Sequence, residues 1–116
     1  AGANFPKIGM SLRTPHLTHW TVPIEHPAFA GHFPGSPILP GVVLLDVALQ
    51  AIASASGIDL DQCEISSVKF LSPAMPGDEL VIEHTLTAND TLRFDIWSGN
   101  RKIANGSITA KPFPSV

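Results

Sequence analysis

The chain carries a histidine, His32, inside the loop Gly31-His32-Phe33-Pro34-Gly35-Ser36-Pro37-Ile38-Leu39-Pro40-Gly41, and a carboxylate, Asp46, in the apolar run that follows. An imidazole near its unperturbed pKa is the natural base at neutral pH. A carboxyl group on an almost wholly apolar helix is expected to be desolvated, which raises its pKa and lets it hold a proton for donation. Gly41 falls at the helix entrance, where backbone N–H groups lack internal acceptors. Such groups donate to a carbonyl oxygen or an oxyanion and lie at the positive end of the helix dipole. Glycine also lets a ligand approach the backbone closely. These are the parts needed for proton transfer beside a carbonyl. Each has a plainer reading as well. His32 can be a solvated loop residue, Asp46 a structural carboxylate bonded to Gln50 or Ser54, and Gly41 a requirement of the turn alone. Gln50, one turn beyond Asp46, can orient the acid or serve as a polar contact at a subunit interface.

The elements that would hold these groups are legible from pattern. Residues 17–24 are rich in β-formers and predict a strand that Pro23 ends or places at an edge. Residues 25–41 form a long loop restrained by Pro27, Pro34, Pro37 and Pro40; a loop of that length in a small domain is usually functional. A helix is predicted from Gly41 to Ser56, entered after Pro40 and stopped by Gly57 as a left-handed cap. Between Val42 and Ala55 only Asp46, Gln50 and Ser54 are polar, so the helix is expected to be buried on most sides. Strands follow at 64–71, 79–87, 91–98 and 102–110. Turns are expected at Met75-Pro76-Gly77-Asp78, Asn89-Asp90 and Gly99-Asn100. Leu80, Ile82, His84 and Leu86 share one face, and His84 is expected to be a satisfied core or interface residue. Residues 1–15 read as an irregular arm with a short strand near Ile8 to Leu12. The fold class is α+β, one domain over 1–116, with a curved antiparallel sheet wrapped around one long helix.

Composition narrows the function. The chain has 116 residues, 44% hydrophobic and 15% charged. A monomer of this size should carry more surface charge, so burial by another subunit is expected. The net charge of −3 argues against nucleic acid. A single cysteine, Cys63, fits a cytoplasmic chain and a small buried hydrophobe. No membrane span and no signal peptide are expected. His16 and His19 are too weakly patterned for a metal site.

Two blocks carry a family resemblance. Gly31-His32-Phe33-Pro34-Gly35-x-Pro37-x-x-Pro40-Gly41-Val42, with Asp46 and Gln50 beyond it, is similar to the 3-hydroxyacyl-[acyl-carrier-protein] dehydratases. Lys69-Phe70-x-x-Pro73-x-x-Pro76-Gly77-Asp78 resembles the second motif of that family. The resemblance implies the hot-dog fold, a homodimer or trimer of dimers, and no metal or cofactor. It implies a substrate thioester on acyl carrier protein or coenzyme A. It implies His32 as the catalytic base and Asp46, reaching in from the neighbouring subunit, as the catalytic acid. Gly41 would polarise the thioester carbonyl, and Gln50, Val42, Phe33 and Pro40 would bind substrate. The chain departs from the family in two ways. Asp46 stands where the branch with this loop usually has Glu, and the usual N-terminal block is reduced to Thr14-Pro15-His16. A thioesterase of the same fold and a non-catalytic acyl-binding subunit are the competing readings. Arg101 and Lys102, or Arg13 and Lys69, are the candidate contacts to an acidic carrier.

Overall fold

The computed structural model describes residues 16–24, 38–87 and 91–110. The predicted N-terminal arm, the Asn89-Asp90 turn and most of the Pro/Gly loop, with His32 and Phe33, lie outside them. Strand β1 spans His16–Thr21 and helix α1 Gly41–Ser56. A 3-10 turn, Leu60–Gln62, leads into β2, Cys63–Phe70. Then come β3, Glu79–Leu86, β4, Thr91–Ser98, and β5, Arg101–Ala110. The strands form one antiparallel sheet in the order β1-β3-β4-β5-β2.

The local chemistry explains the boundaries. Pro40, in an extended conformation, offers its carbonyl to the Val43 and Leu44 N–H groups at 3.0 and 3.1 Å and so starts the helix. Gly57 stops it at φ 76°, a left-handed position that side chains disfavour. The 3-10 turn is a difference from the sequence expectation. Its signal is Asp59, whose carboxylate accepts from the Asp61 N–H at 3.0 Å.

The core lies between α1 and one face of the sheet. Leu44, Ala48 and Ile52 form the buried stripe of the helix, at the four-residue spacing of one helix face. They join Leu80 and Ile82 of β3, Leu92, Phe94 and Ile96 of β4, and Ala104 and Ile108 of β5 in one apolar cluster. Burying each of the larger side chains contributes about 1.5–3 kcal/mol. Gly106 fits this face because it has no side chain. A Cβ there would lie 2.5 Å from the Ser67 carbonyl oxygen and 2.6 Å from the Phe94 ring. Gly106 thus lets Ser67 of the neighbouring strand β2 and the Phe94 ring of β4 both approach β5 closely.

The expectation that the helix is buried on most sides is not met. Val42, Asp46, Gln50 and Ser54 form an exposed stripe, with Val42 at 77% exposure. A single sheet covers one face of a helix and leaves the opposite face open. The sheet has a second open region. Among the described residues strand β2 is an edge, and from Glu64 to Phe70 every residue is exposed, including Ile65, Val68 and Phe70.

His84 corrects another expectation. It is fully buried on the apolar face of β3, but neither ring nitrogen has a hydrogen-bond partner among the described residues. Its ring centroid lies 5.0 Å from that of His16 on β1. Burial, and secondarily the His16 imidazole, push His84 from 6.5 down to about 4. The folded chain therefore holds the neutral ring while the unfolded chain takes up a proton. Stability from this site is present above the unfolded value of about 6.5 and is lost as pH falls towards 4, by about 3 kcal/mol in all. His84→Leu keeps the apolar fit and is expected to remove this pH slope from urea unfolding midpoints. A slope as steep as wild type in that variant would assign the acid sensitivity to other groups.

Candidate active site

A pocket of about 310 Å³ opens at the start of α1. Leu39, Gly41 and Leu44 form one wall, and Phe70, Pro73 and Ala74 the other. Two segments distant in sequence meet here because the Leu39 N–H donates to the Ala74 carbonyl at 2.7 Å, an isolated bridge between the pre-helix residues and the turn after β2. The described end of the first sequence block, with Leu39 and Gly41, and the Phe70–Ala74 part of the second are thus the two sides of one cavity.

Gly41 is where the sequence placed it, at the first position of α1 and in the pocket wall. No side chain caps the helix, and the Gly41 and Val42 N–H groups have no acceptor among the described residues. The Phe70 ring lies 3.1–3.3 Å from where a Cβ on residue 41 would stand, so a larger residue there would have to displace the ring. Pro40 is half-buried and sets the angle of the helix entrance; Val42 is exposed beside it.

Asp46 departs from its expected environment. It is exposed in the single chain, not desolvated, and no described residue bonds to it. Gln50 is exposed on the same stripe and makes no hydrogen bond to Asp46. The helix explains both. Asp46 lies about 200° around α1 from Leu44, and Leu44 faces the pocket. The acid therefore points away from the cavity that its own helix opens. His32 and Phe33 fall outside the described residues, on the segment that leads into Ile38 and Leu39 at the pocket wall.

Two of the basic residues considered as carrier contacts are already engaged. Arg101 pairs with Asp78 at 3.1 Å and donates to the Pro73 carbonyl. Lys102 pairs with Asp95 at 3.0 Å and lies 4.8 Å from the centre of the Trp97 ring. Lys69 is exposed on β2, and Arg13 is outside the described residues.

A family model described as ApeI-like, ApeI dehydratase, matches residues 13–107. The chain belongs to this family. The 3-hydroxyacyl-[acyl-carrier-protein] dehydratase FabZ of Geobacter metallireducens is 36% identical over 100 residues, which is 78% of this chain and 65% of that protein. The chain thus spans just under two thirds of the length of that curated relative. Among solved structures, the dehydratase heterocomplex ApeI:P from Xenorhabdus doucetiae superposes with a TM-score of 0.66 at 22% identity, covering 94% of this chain and 95% of that one. A 1,4-dihydroxy-2-naphthoyl-CoA thioesterase from Synechocystis gives a TM-score of 0.58 at 14% identity, covering 87% and 90%. These two likenesses bear on the fold, which is the expected hot-dog fold, with one α-helix and five strands among the described residues. The resemblance read from the two motif blocks agrees with the family match. Among the described residues, no helix of this ApeI-like chain is long and apolar enough to cross a membrane.

Proposed function

We propose that the chain dehydrates 3-hydroxyacyl thioesters to trans-2-enoyl thioesters in fatty acid synthesis or a specialised polyene or polyketide pathway. The observation that carries this reading is the apolar pocket at the α1 entrance, with Gly41 in its wall and no carboxylate among the described residues that line it. Acyl carrier protein or coenzyme A would deliver the substrate, with the acyl chain against Leu39, Leu44 and Phe70. The thioester carbonyl would accept from the Gly41 N–H, aided by the helix dipole. His32 takes the α-proton, and its electrons pass to the thioester oxygen as an enolate. The enolate collapses to form the α,β double bond. The β-hydroxyl leaves as water with a proton from Asp46. In this reading Phe33, Pro40 and Val42 would bind substrate, and Gln50 would do so from the second copy, beside Asp46.

The acid comes from a second copy in this proposal. Asp46 faces out of its own subunit, with Val42 exposed on the same stripe of α1, and Ile65, Val68 and Phe70 are exposed along β2, apolar surface that a second copy would cover. A homodimer, alone or assembled into a trimer of dimers, supplies that cover and carries Asp46 to the partner's pocket. The cytoplasm, where Cys63 would stay reduced, is the location we assign.

The test is incubation with 3-hydroxyacyl carrier proteins of graded chain length, followed by mass spectrometry. The expected product is the enoyl carrier, one water lighter and still thioester-linked. Release of free thiol without an enoyl product would make the chain a thioesterase. Binding without turnover at any length would make it an acyl-binding subunit.

A further inference from the structure

The pocket wall formed by the turn after β2 is held by a residue from the opposite end of the second half of the chain. Arg101, the first residue of β5, donates from Nη1 to the Pro73 carbonyl at 2.8 Å and from Nη2 to Asp78 Oδ2 at 3.1 Å. The same Asp78 oxygen accepts from the Met75 N–H at 2.9 Å. One guanidinium and one carboxylate oxygen therefore tie both ends of the 73–78 turn. Pro73 and Ala74 line the pocket, and the Ala74 carbonyl accepts from the Leu39 N–H. Pro40 and Gly41 follow Leu39 directly. The bonds run from Arg101 through Pro73 and Ala74 to Leu39 and the helix entrance.

We propose that Arg101 is a positioning residue: it fixes the turn that walls the pocket, and through the Ala74–Leu39 bridge it fixes where a thioester seats against Gly41. Its kinetic half rests on the dehydratase reading; its structural half does not. The guanidinium suits the task because its planar fork reaches a carbonyl and a carboxylate together. A lysine carries the same charge but holds one acceptor at a time. The pair is partly exposed, with side-chain exposures of 36% and 20%, and exposed ion pairs contribute little to global stability. The geometry of the wall is what the fork supplies. A carrier-docking role for Arg101 would leave these donors free for an acidic partner, and they are engaged within the chain.

The test uses Arg101→Met and Arg101→Lys, with Asp78→Asn as a second way to loosen the clamp. In Arg101→Met, hydrogen exchange at the Leu39 amide is expected to quicken about tenfold, while amides in the β3–β4 ladder keep their wild-type rates. KM for a 3-hydroxyacyl thioester is expected to rise about tenfold with kcat within about twofold, because substrate seating is lost and the reacting groups are not. The pH profile of kcat should not move, and Arg101→Lys should fall between wild type and Met. An unchanged Leu39 exchange rate in both Arg101→Met and Asp78→Asn overturns the clamp. Faster exchange with an unchanged KM overturns the seating role. If the wild-type protein turns over no 3-hydroxyacyl thioester, the dehydratase reading fails, and the exchange measurement decides the clamp by itself.

Discussion

Asp46→Asn is expected to lower kcat for dehydration by about a hundred- to ten-thousand-fold, the range of one lost general acid. Asn has nearly the shape of Asp but no carboxyl proton to deliver to the departing hydroxyl. The fold should be unaffected, since Asp46 is exposed and no described residue bonds to it; exposed substitutions of this kind shift stability by about 0.5 kcal/mol or less. A circular dichroism melt and a steady-state assay on the same preparation separate the two effects. The plain alternative is that Asp46 is one more solvated carboxylate on an open helix face, and its exposure in the single chain is compatible with that. Near-wild-type turnover in Asp46→Asn would establish the plain alternative and remove the acid from the mechanism.

What could be read from the sequence, and what could not, divides along one physical line. Elements fixed by local chemistry were legible. Pro40 and Gly57 bound α1 at Gly41–Ser56 as expected, because one sets the entrance and the other takes a left-handed conformation. The alternation of Leu92, Phe94 and Ile96 with Arg93, Asp95 and Trp97 gave β4 its boundaries and its buried face. That residues of the two motif blocks meet at one pocket comes from the structure, in the Leu39–Ala74 bridge. Properties that depend on what covers a surface were not legible. The apolar sequence of α1 suggested burial all round, but the sheet of one chain reaches only the Leu44, Ala48 and Ile52 side. Ile65, Val68 and Phe70 of β2 lie bare likewise, with no described element over them. The strand order, with β2 carried to the far edge beside β5, cannot come from alternation, which marks a face and names no neighbour. Alternation makes His84 a core position, yet its lack of partners among the described residues is not legible there, because hydrogen bonding at a buried ring depends on which side chains the register sets opposite it. Those are His16 and Phe94, and neither bonds to the ring.

Mixing two inactive variants is expected to restore activity. If His32 of one copy works with Asp46 of another, His32→Ala and Asp46→Asn each disable both sites of their own homodimer. Unfolding and refolding them together at equal amounts scrambles the subunits, so about half of the dimers are mixed. In a mixed dimer, one site joins the intact His32 of one subunit to the intact Asp46 of the other, and the second site carries both defects. About a quarter of wild-type turnover should therefore return, against about a hundredfold or greater loss in each parent. The direction of Asp46 on α1 motivates this result: a helix that opens a pocket along its Leu44 side and presents its acid about 200° away cannot aim that acid into the same pocket without unwinding. If both groups served the pocket of one subunit, every site in every mixed dimer would lack one of them, and refolding together would recover nothing. Recovery near a quarter requires the site to be assembled from two chains, and its absence in a mixture shown by mass to contain hybrid dimers would place His32 and Asp46 in one subunit or remove one of them from the chemistry.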